Sequence, residues 1–431
     1  MKIGFPYKHF EQIEPAEIPD ANLMGVFEPR ALGEEKDPQA FLERGFANPI
    51  GAPRLRELAK AGDRVLIFID DYTRGTPVSK ILPHVLEELE VAGVEDRQIT
   101  VLTAQGTHRE MTEAELMEKL GPFYGRFPVH QHRWLDSSKL HRFGTLADGT
   151  PVTANKLLAE HDLILGIVSI VPHRIKGFSG GAKIAFPGVA GPEMQSKIQW
   201  EGARRMSETV MGAPENPMRH QMEEAARIVG RRYVVNVVSD AKKNLAGCFV
   251  GDPVAAHREG CRLSREVFGV PQPARADIVL VDSHPADYDF WQSAKGYYSG
   301  TMAIKRGGSL ILVAPNPEGV AKNHPNVLGI GYRPYEEIRA LVESGQVEDV
   351  VGASILADVC QIVEAHDCIL VSPGVTIEEK RRLNIRHAQT VQDALEMALD
   401  KQGKRAKVAV LRQGGHVLPL VGGESVAADR A

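Results

Sequence analysis

The sequence is poor in the features that mark several large classes of protein. Only four cysteines occur, Cys248, Cys261, Cys360 and Cys368, and none stands in a CxxC or CxxH pair. That scatter excludes a disulfide framework and a structural zinc site, and it fits a reducing compartment. No apolar stretch approaches the roughly 20 residues that a membrane-spanning helix needs. The N-terminus, "MKIGFPYKHFEQIEP", lacks the apolar core of a targeting peptide. A cytoplasmic protein without a membrane partner is expected. Positive charge is also short: 51 Lys and Arg stand against 56 Asp and Glu, a formal net charge of -5, and the isoelectric point is near 6.3. A nucleic-acid surface is therefore not expected. Repeats and low-complexity tracts are missing as well. What remains is an ordinary globular composition, 43% apolar and 25% charged over 431 residues, too long for one core to organise. Two domains and small-molecule chemistry are the expectation.

Short apolar runs alternate with amphipathic segments. The runs are "RVLIFID" (64–70), "QITVLTA" (98–104), "DLILGIV" (162–168), "YVVNVVS" (233–239), "DIVLVD" (277–282), "SLILVAP" (309–315), "CILVSPG" (368–374) and "KVAVLR" (407–412). Continuous runs of this kind suit strands buried on both faces of a parallel sheet. Helical patterns lie between them, at 77–93, 217–230, 334–346 and 390–403, several opening on Pro or Thr and closing on Gly. The fold class is therefore α/β, with two domains of mainly parallel, helix-flanked sheets. The Pro-rich segment "FGVPQPARAD" (268–277) marks the expected boundary, with a second near residue 400. This gives an N-terminal cofactor-binding α/β domain over 1–273, completed by 401–431, and a C-terminal α/β domain over 274–400. The tail "GGESVAADRA" reads as a frayed end.

Ligands of open α/β sheets collect at the carboxyl ends of strands, and four such junctions are unusual. The first, "DDYTRGTP" (70–77), offers carboxylates, hydroxyls and Arg74 where a helix would begin. It is a cradle for phosphate or carboxylate, or, more plainly, a helix cap with a surface ion pair. The second, "AQGTHRE" (104–110), places His108 beside a glycine; a single His is most often packed or solvated. The third, "HRIKGFSGGAKIAFPG" (173–188), carries Lys183 among four glycines. A Walker loop would follow its Lys with Ser or Thr, whereas Ile184 follows Lys183 here and the glycine spacing is wrong. The stretch is too apolar for an idle surface turn. Its glycines would let backbone approach a ligand while a partly desolvated Lys183 acts as a nucleophile or forms a covalent link. The fourth, "SHPADYDFWQSAKG" (283–296), sets Gln292 and Lys295 three apart, on one face if helical. That pair could hold a carboxylate or simply start a helix.

Together these stretches resemble the nickel-dependent lactate racemase family, and "H…GFSGGAK…PG" is the most specific part. The resemblance spans most of the chain. It implies two α/β domains with the active site in the cleft between them, and a nickel-pincer nucleotide, a pyridinium mononucleotide (pyridinium-3-thioamide-5-thiocarboxylic acid mononucleotide), joined to the lysine matching Lys183. It implies further that hydride passes from the α-carbon of a 2-hydroxy acid to the pyridinium and returns to either face, while His108 and His173 exchange the hydroxyl proton. Asp71 and Arg74 match the family's first motif; Gln292 and Lys295 match its Gln and Lys. Arg74 and Lys295 would hold the substrate carboxylate. The expected cofactor contacts are Asp71, Thr73, Arg74, Thr76, Gly177, Ser179, Gly180, Gly181 and Lys183. The expected catalytic set is His108, His173, Arg74, Gln292 and Lys295.

The sequence departs from the family's pattern twice. Gly75 stands where the family has Pro. About sixteen residues beyond the tethering Lys, where a His completes the nickel coordination, Gln199 is followed by Trp200, and an amide suits nickel poorly. Gln199 is the nearest substitute by spacing; Trp200 either covers the cofactor ring or belongs to the core. Arg174 and Lys176 add more positive charge beside His173 than lactate needs, unless they face solvent. The expected activity is racemisation or epimerisation of a 2-hydroxy acid. The alternatives are a relative that uses the nucleotide with altered or no nickel for another redox step, and a non-catalytic carrier of the cofactor.

Overall fold

The computed structural model describes residues 1–422 apart from 8, 9, 11, 12, 32–36 and 206. The tail read as a frayed end lies, beyond Gly422, outside the described residues. A strand covered on both faces must satisfy its backbone in a ladder, and uninterrupted Val, Ile and Leu fit that position. In chain order the strands of the two large sheets are β1 (Leu23–Phe27), β2 (Val65–Ile69), β3 (Ile99–Thr103), β4 (Val129–Gln131), β5 (Leu163–Ser169), β6 (Arg231–Ser239), β7 (Leu245–Gly251), β8 (Ala276–Asp282), β9 (Ile304–Val313), β10 (Asp367–Val371), β11 (Arg386–His387) and β12 (Val408–Leu411). The apolar runs of the sequence fall on β2, β3, β5, β6, β8, β9, β10 and β12.

The chain forms two compact α/β units. One comprises Ala31–Ile198 and Ala213–Val267 and carries a sheet in the order β7-β6-β5-β2-β3-β4. Its neighbours run parallel except β6 and β7. The other comprises Met1–Arg30, Gln199–Gly212 and Phe268–Ala431 and carries the all-parallel order β11-β10-β9-β8-β12-β1. This grouping differs from the division expected over 1–273 with 401–431. Met1–Arg30 and the C-terminal strands go with the second unit, because β12 inserts between β8 and β1. The Pro-rich segment follows the crossing at Val267/Phe268, yet it is no slack linker: Gly269–Gln272 pairs in parallel with Leu418–Val421. No boundary falls near 400, since the helix Val391–Gln402 and β12 stay in one unit.

Helices cover the sheets with apolar faces. The first-unit helices used below are α1 (Val78–Val91), α2 (Glu113–Leu120), then α3 (Pro192–Ala203), which passes into the second unit, α4 (Pro217–Ile228) and α5 (Ala255–Phe268); α6 (Phe290–Ala303) belongs to the second. Along α1, Val78, Ile81, Leu82, Val85 and Leu89 recur at helical spacing and are all buried. Polar side chains fix the starts: Thr112 caps α2 with Glu115 reciprocating, Asn216 caps α4 and Asp289 caps α6. Among the described residues no helix is long and apolar enough to cross a membrane.

Candidate active site

In the first unit the chain leaves β2 for β3 and β4 on one side and for β5 and β6 on the other. A parallel sheet opens a crevice at such a reversal, outside the carboxyl ends of its central strands. Three of the four stretches singled out in the sequence arrive at this edge. Asp70 and Asp71 follow β2, Gln105–His108 follow β3, and the glycine stretch follows β5. The Thr76 hydroxyl joins the first to the third, bonded to the Asp70 carboxylate and 2.7 Å from the Ser169 hydroxyl.

The tightest pair is Asp71 with His108, whose Nδ1 lies 2.6 Å from Asp71 Oδ2. The other carboxylate oxygen accepts the Thr73 backbone N–H at 2.8 Å and the Thr73 hydroxyl. Arg74 in turn donates to the Thr73 hydroxyl at 2.7 Å. Burial alone would push the Asp71 carboxyl up. His108, Arg74 and Thr73 outweigh it and hold the group well below the usual carboxylate range. An ionised partner on Nδ1 keeps the proton there and makes Nε2 the basic nitrogen of His108. Beneath this loop lies Lys119 of α2, buried, 2.5 Å from Asp70 Oδ1 and donating to the Arg74 carbonyl at 2.8 Å. The sequence offered no signal for Lys119, which reads as a solvated charge on an amphipathic helix.

His173 stands on a short hairpin in which Pro172 and His173 pair with Phe178 and Gly177. Its Nδ1 accepts the Ile175 backbone N–H at 3.2 Å, so the neutral ring carries its proton on Nε2. The two imidazoles are thus held in opposite tautomers by their immediate neighbours. Ser179 ties the hairpin to the sheet, donating to the Ser169 carbonyl at 2.7 Å and accepting the Val171 N–H at 2.9 Å. Arg174 and Lys176 are both buried, which removes the solvent-facing alternative.

The close approach that the glycines permit is to the protein's own atoms. Gly177 has φ +70°, and a Cβ there would collide with the Ala213 carbonyl. Gly181, at φ +58°, would set a Cβ 2.7 Å from the Pro253 carbonyl and 2.8 Å from the His257 ring. Lys183 follows in the single turn Gly181–Ile184. Its half-buried amine is pushed down to about 7 by desolvation first, then by the charges of Arg74 and Arg219, while Asp71 and Asp70 pull the other way. A lysine so placed is uncharged, and therefore nucleophilic, over much of the neutral range.

The fourth stretch lies in the second unit, after β8. Asp289 accepts the Gln292 N–H at 2.8 Å and opens α6, and one turn on the Lys295 ammonium donates to Gln292 Oε1 at 2.6 Å. The expected helical pairing of Gln292 and Lys295 is what the structure contains. Trp200 is buried in the core of this unit with Ala203, Phe290 and Ala294, and Gln199 precedes it, half-buried, on α3. His132 and His220 are committed to other partners. Both ring nitrogens of His132 are engaged, by the Ala190 carbonyl at 3.0 Å and the Asn155 amide at 3.4 Å, and burial pushes it down to about 4. His220 pairs with Glu215 at 2.6 Å, and His130 is exposed on the edge strand β4. Among the described residues no three His, Cys, Asp or Glu side chains gather in a geometry that could hold a metal ion.

Fold and site together define an α/β protein with a His–Asp pair and a half-buried lysine in the segments that follow the central strands of a mainly parallel sheet. A profile of the lactate racemase N-terminal domain matches residues 10–199, and one of the lactate racemase C-terminal domain matches residues 272–418. The chain belongs to the lactate racemase family. It is 29% identical to the lactate racemase of Lactiplantibacillus plantarum over 420 residues, covering 96% of this chain and 98% of the relative. It is also 29% identical to the lactate racemase of Thermoanaerobacterium thermosaccharolyticum over 428 residues, 93% of this chain and 96% of the relative. The structure of that second enzyme's apoprotein superposes with a TM-score of 0.84 at 26% identity, covering 97% of this chain and 99% of the other. A Thermotoga maritima protein shares the fold, with a TM-score of 0.70 at 22% identity over 90% of this chain and 99% of the other.

Proposed function

We propose that the protein racemises or epimerises a 2-hydroxy acid by reversible hydride transfer, with His108 and His173 exchanging the hydroxyl proton. The observation that carries this reading is the pair of contacts at the two Nδ1 atoms, a carboxylate on His108 and a backbone N–H on His173, which assign the imidazoles opposite tautomers. The Asp71 carboxylate makes Nε2 of His108 an acceptor, and the Ile175 N–H makes Nε2 of His173 a donor. Interconversion of two enantiomers needs a base for the hydroxyl of one and an acid for the alkoxide of the other, with the roles exchanged in reverse. The full-length likeness to two lactate racemases supports the same reaction.

A hydride acceptor is required that no side chain offers, and a lysine-tethered pyridinium nucleotide would supply it when bound. The residues fit such a tether. Lys183 is the nucleophilic amine, and Arg74 with the Thr73 and Thr76 hydroxyls forms a cradle of the kind that takes phosphate. Gly180 and Gly181 fix the turn that carries the lysine. In the first unit Arg74 is the cation assigned to the substrate carboxylate; in the second the candidate is Lys295, held by Gln292. The residues fit nickel less well, since Gln199 stands at the family's His position and among the described residues no three His, Cys, Asp or Glu side chains gather to hold a metal. That favours a metal held by the cofactor's own atoms or an unmetallated ring. Peptide mass mapping tests the tether: protein made in a host that builds the cofactor should carry added mass on the peptide containing Lys183, and Lys183→Ala should lose it. Unmodified Lys183 in active protein would end the covalent reading.

A further inference from the structure

The loop between His173 and Lys183 is held through its carbonyl oxygens, and most of them converge on one side chain. Arg219, the third residue of α4, donates from Nη1 to the Gly180 carbonyl at 3.0 Å and from Nη2 to the carbonyls of Lys176, at 3.1 Å, and Phe178. From α5, His257 Nε2 lies 2.9 Å from the Ser179 carbonyl between them. Four carbonyls within five residues are thus turned toward two helices. Arg219 is fully buried, and its own backbone N–H is fixed by the Asn216 cap at 2.9 Å. Such a residue is costly to bury, and burial pushes its guanidinium down to about 10. Glu223, one turn further along α4, is engaged by Arg258 at 2.8 Å, which also pairs with Glu215. The Arg219 guanidinium thus donates to carbonyls, with Glu223 and Glu215 also favouring its charge, and it acts across the loop on Lys183. The charged groups that act on that amine are Arg74 and Arg219 as cations and Asp70 and Asp71 as anions.

We infer that Arg219 is a positioning residue for Lys183: its guanidinium fixes the loop that carries the lysine through the carbonyls of Lys176, Phe178 and Gly180. A second consequence is electrostatic, since a buried cation disfavours another charge close by. The inference rests on the proposed role of Lys183 as tether. It adds a second centre to the site, outside every motif read from the sequence. Only a planar fork of N–H donors serves several carbonyls at once, which a lysine ammonium at the same position does not reproduce. Clamp and charge can therefore be separated by substitution.

The test uses the apoprotein. Competitive acetylation with acetic anhydride between pH 5 and 10, read by mass on the Lys183 peptide, gives the pH at which the amine becomes reactive. In Arg219→Gln that midpoint should move upward by about one pH unit, since a neighbouring like charge has been removed. Arg219→Lys should restore the wild-type midpoint while speeding hydrogen exchange of the 176–183 amides. A wild-type midpoint in folded Arg219→Gln would overturn the electrostatic part, and wild-type exchange in Arg219→Lys would overturn the clamp. If the Gln variant does not fold, exchange in the Lys variant decides. Loss of folding in both would make Arg219 a residue of the fold and overturn the inference. Failure of the tether reading shows separately, as unmodified Lys183 in active wild-type protein.

Discussion

Nδ1 of His108 lies 2.6 Å from Oδ2 of Asp71, and that contact decides which nitrogen of the ring can accept a proton. Replacing Asp71 by Asn keeps the shape and reverses the preference, since the amide can donate to Nδ1. Asp71→Asn should therefore lower kcat by about 100- to 10,000-fold per site that carries cofactor. Steady-state rates normalised to cofactor content by mass check this. A normalised rate close to wild type would show that the carboxylate does not orient the ring.

Lys183 makes the native protein's stability depend on pH in a defined direction. In the folded chain its amine holds a proton only up to about pH 7, whereas an unfolded lysine holds it up to about 10.4. Between these values the unfolded chain binds more protons, so stability rises with pH across the window. Below it the fold carries the full cost of the desolvated ammonium. Lys183→Met apoprotein should melt higher than wild type at pH 6, and the gap should close as the pH approaches 10. Thermal melts at pH 6, 8 and 10 check this; a gap independent of pH would contradict the assigned environment.

Lys119 ties Asp70 to the carbonyls of Asp71 and Arg74 from beneath the first loop. Lys119→Met strands a buried carboxylate and should cost about 3–5 kcal/mol in urea unfolding. The double variant Lys119→Met/Asp70→Asn should recover part of that loss, because the uncompensated charge is gone. No recovery would mean that the ion pair is not the source of the cost.

The Gln199 position tests the metal. With imidazole restored, Gln199→His protein loaded with cofactor should retain more nickel through dialysis than the wild type, measured by elemental analysis against protein. Equal retention would place residue 199 away from the metal. Nickel absent from both, with cofactor still on Lys183, would favour a different redox step over racemisation.

Strands and loops were legible to different degrees. β2, β3 and β5 announce themselves as continuous apolar runs, and Asp71, His108 and, beyond a short hairpin, Lys183 lie in the segments that follow them. β1 did not stand out, because Leu23–Phe27 is half-buried throughout and matters through its pairing with β12, nearly 400 residues away in sequence, at Val408–Leu411. The same remoteness misassigned the chain's two ends to the first unit. Arg219 and Lys119 were invisible for another reason. In an amphipathic helix a cation reads as solvated, and only the carbonyls and carboxylate brought over them by the fold bury them. His173 and His108 were legible as residues, yet their opposite tautomers depend on one backbone N–H and one carboxylate placed by the loops. Gly177 and Gly181 were recognised as necessary, while the atoms they make way for, at Ala213 and Pro253, lie in segments that carry no motif.

The central claim is that the α-hydrogen travels as hydride and returns to the carbon it left. The direct measurement is to incubate cofactor-loaded protein in deuterium oxide with one enantiomer of the 2-hydroxy acid it interconverts, and to examine the product's α-carbon by proton NMR. Hydride transfer predicts racemised product that keeps its α-hydrogen and gains no deuterium from solvent, because His108 and His173 exchange only the hydroxyl proton. Deuterium at the α-carbon, appearing in step with inversion, would mean that the carbon itself is deprotonated and would contradict the account.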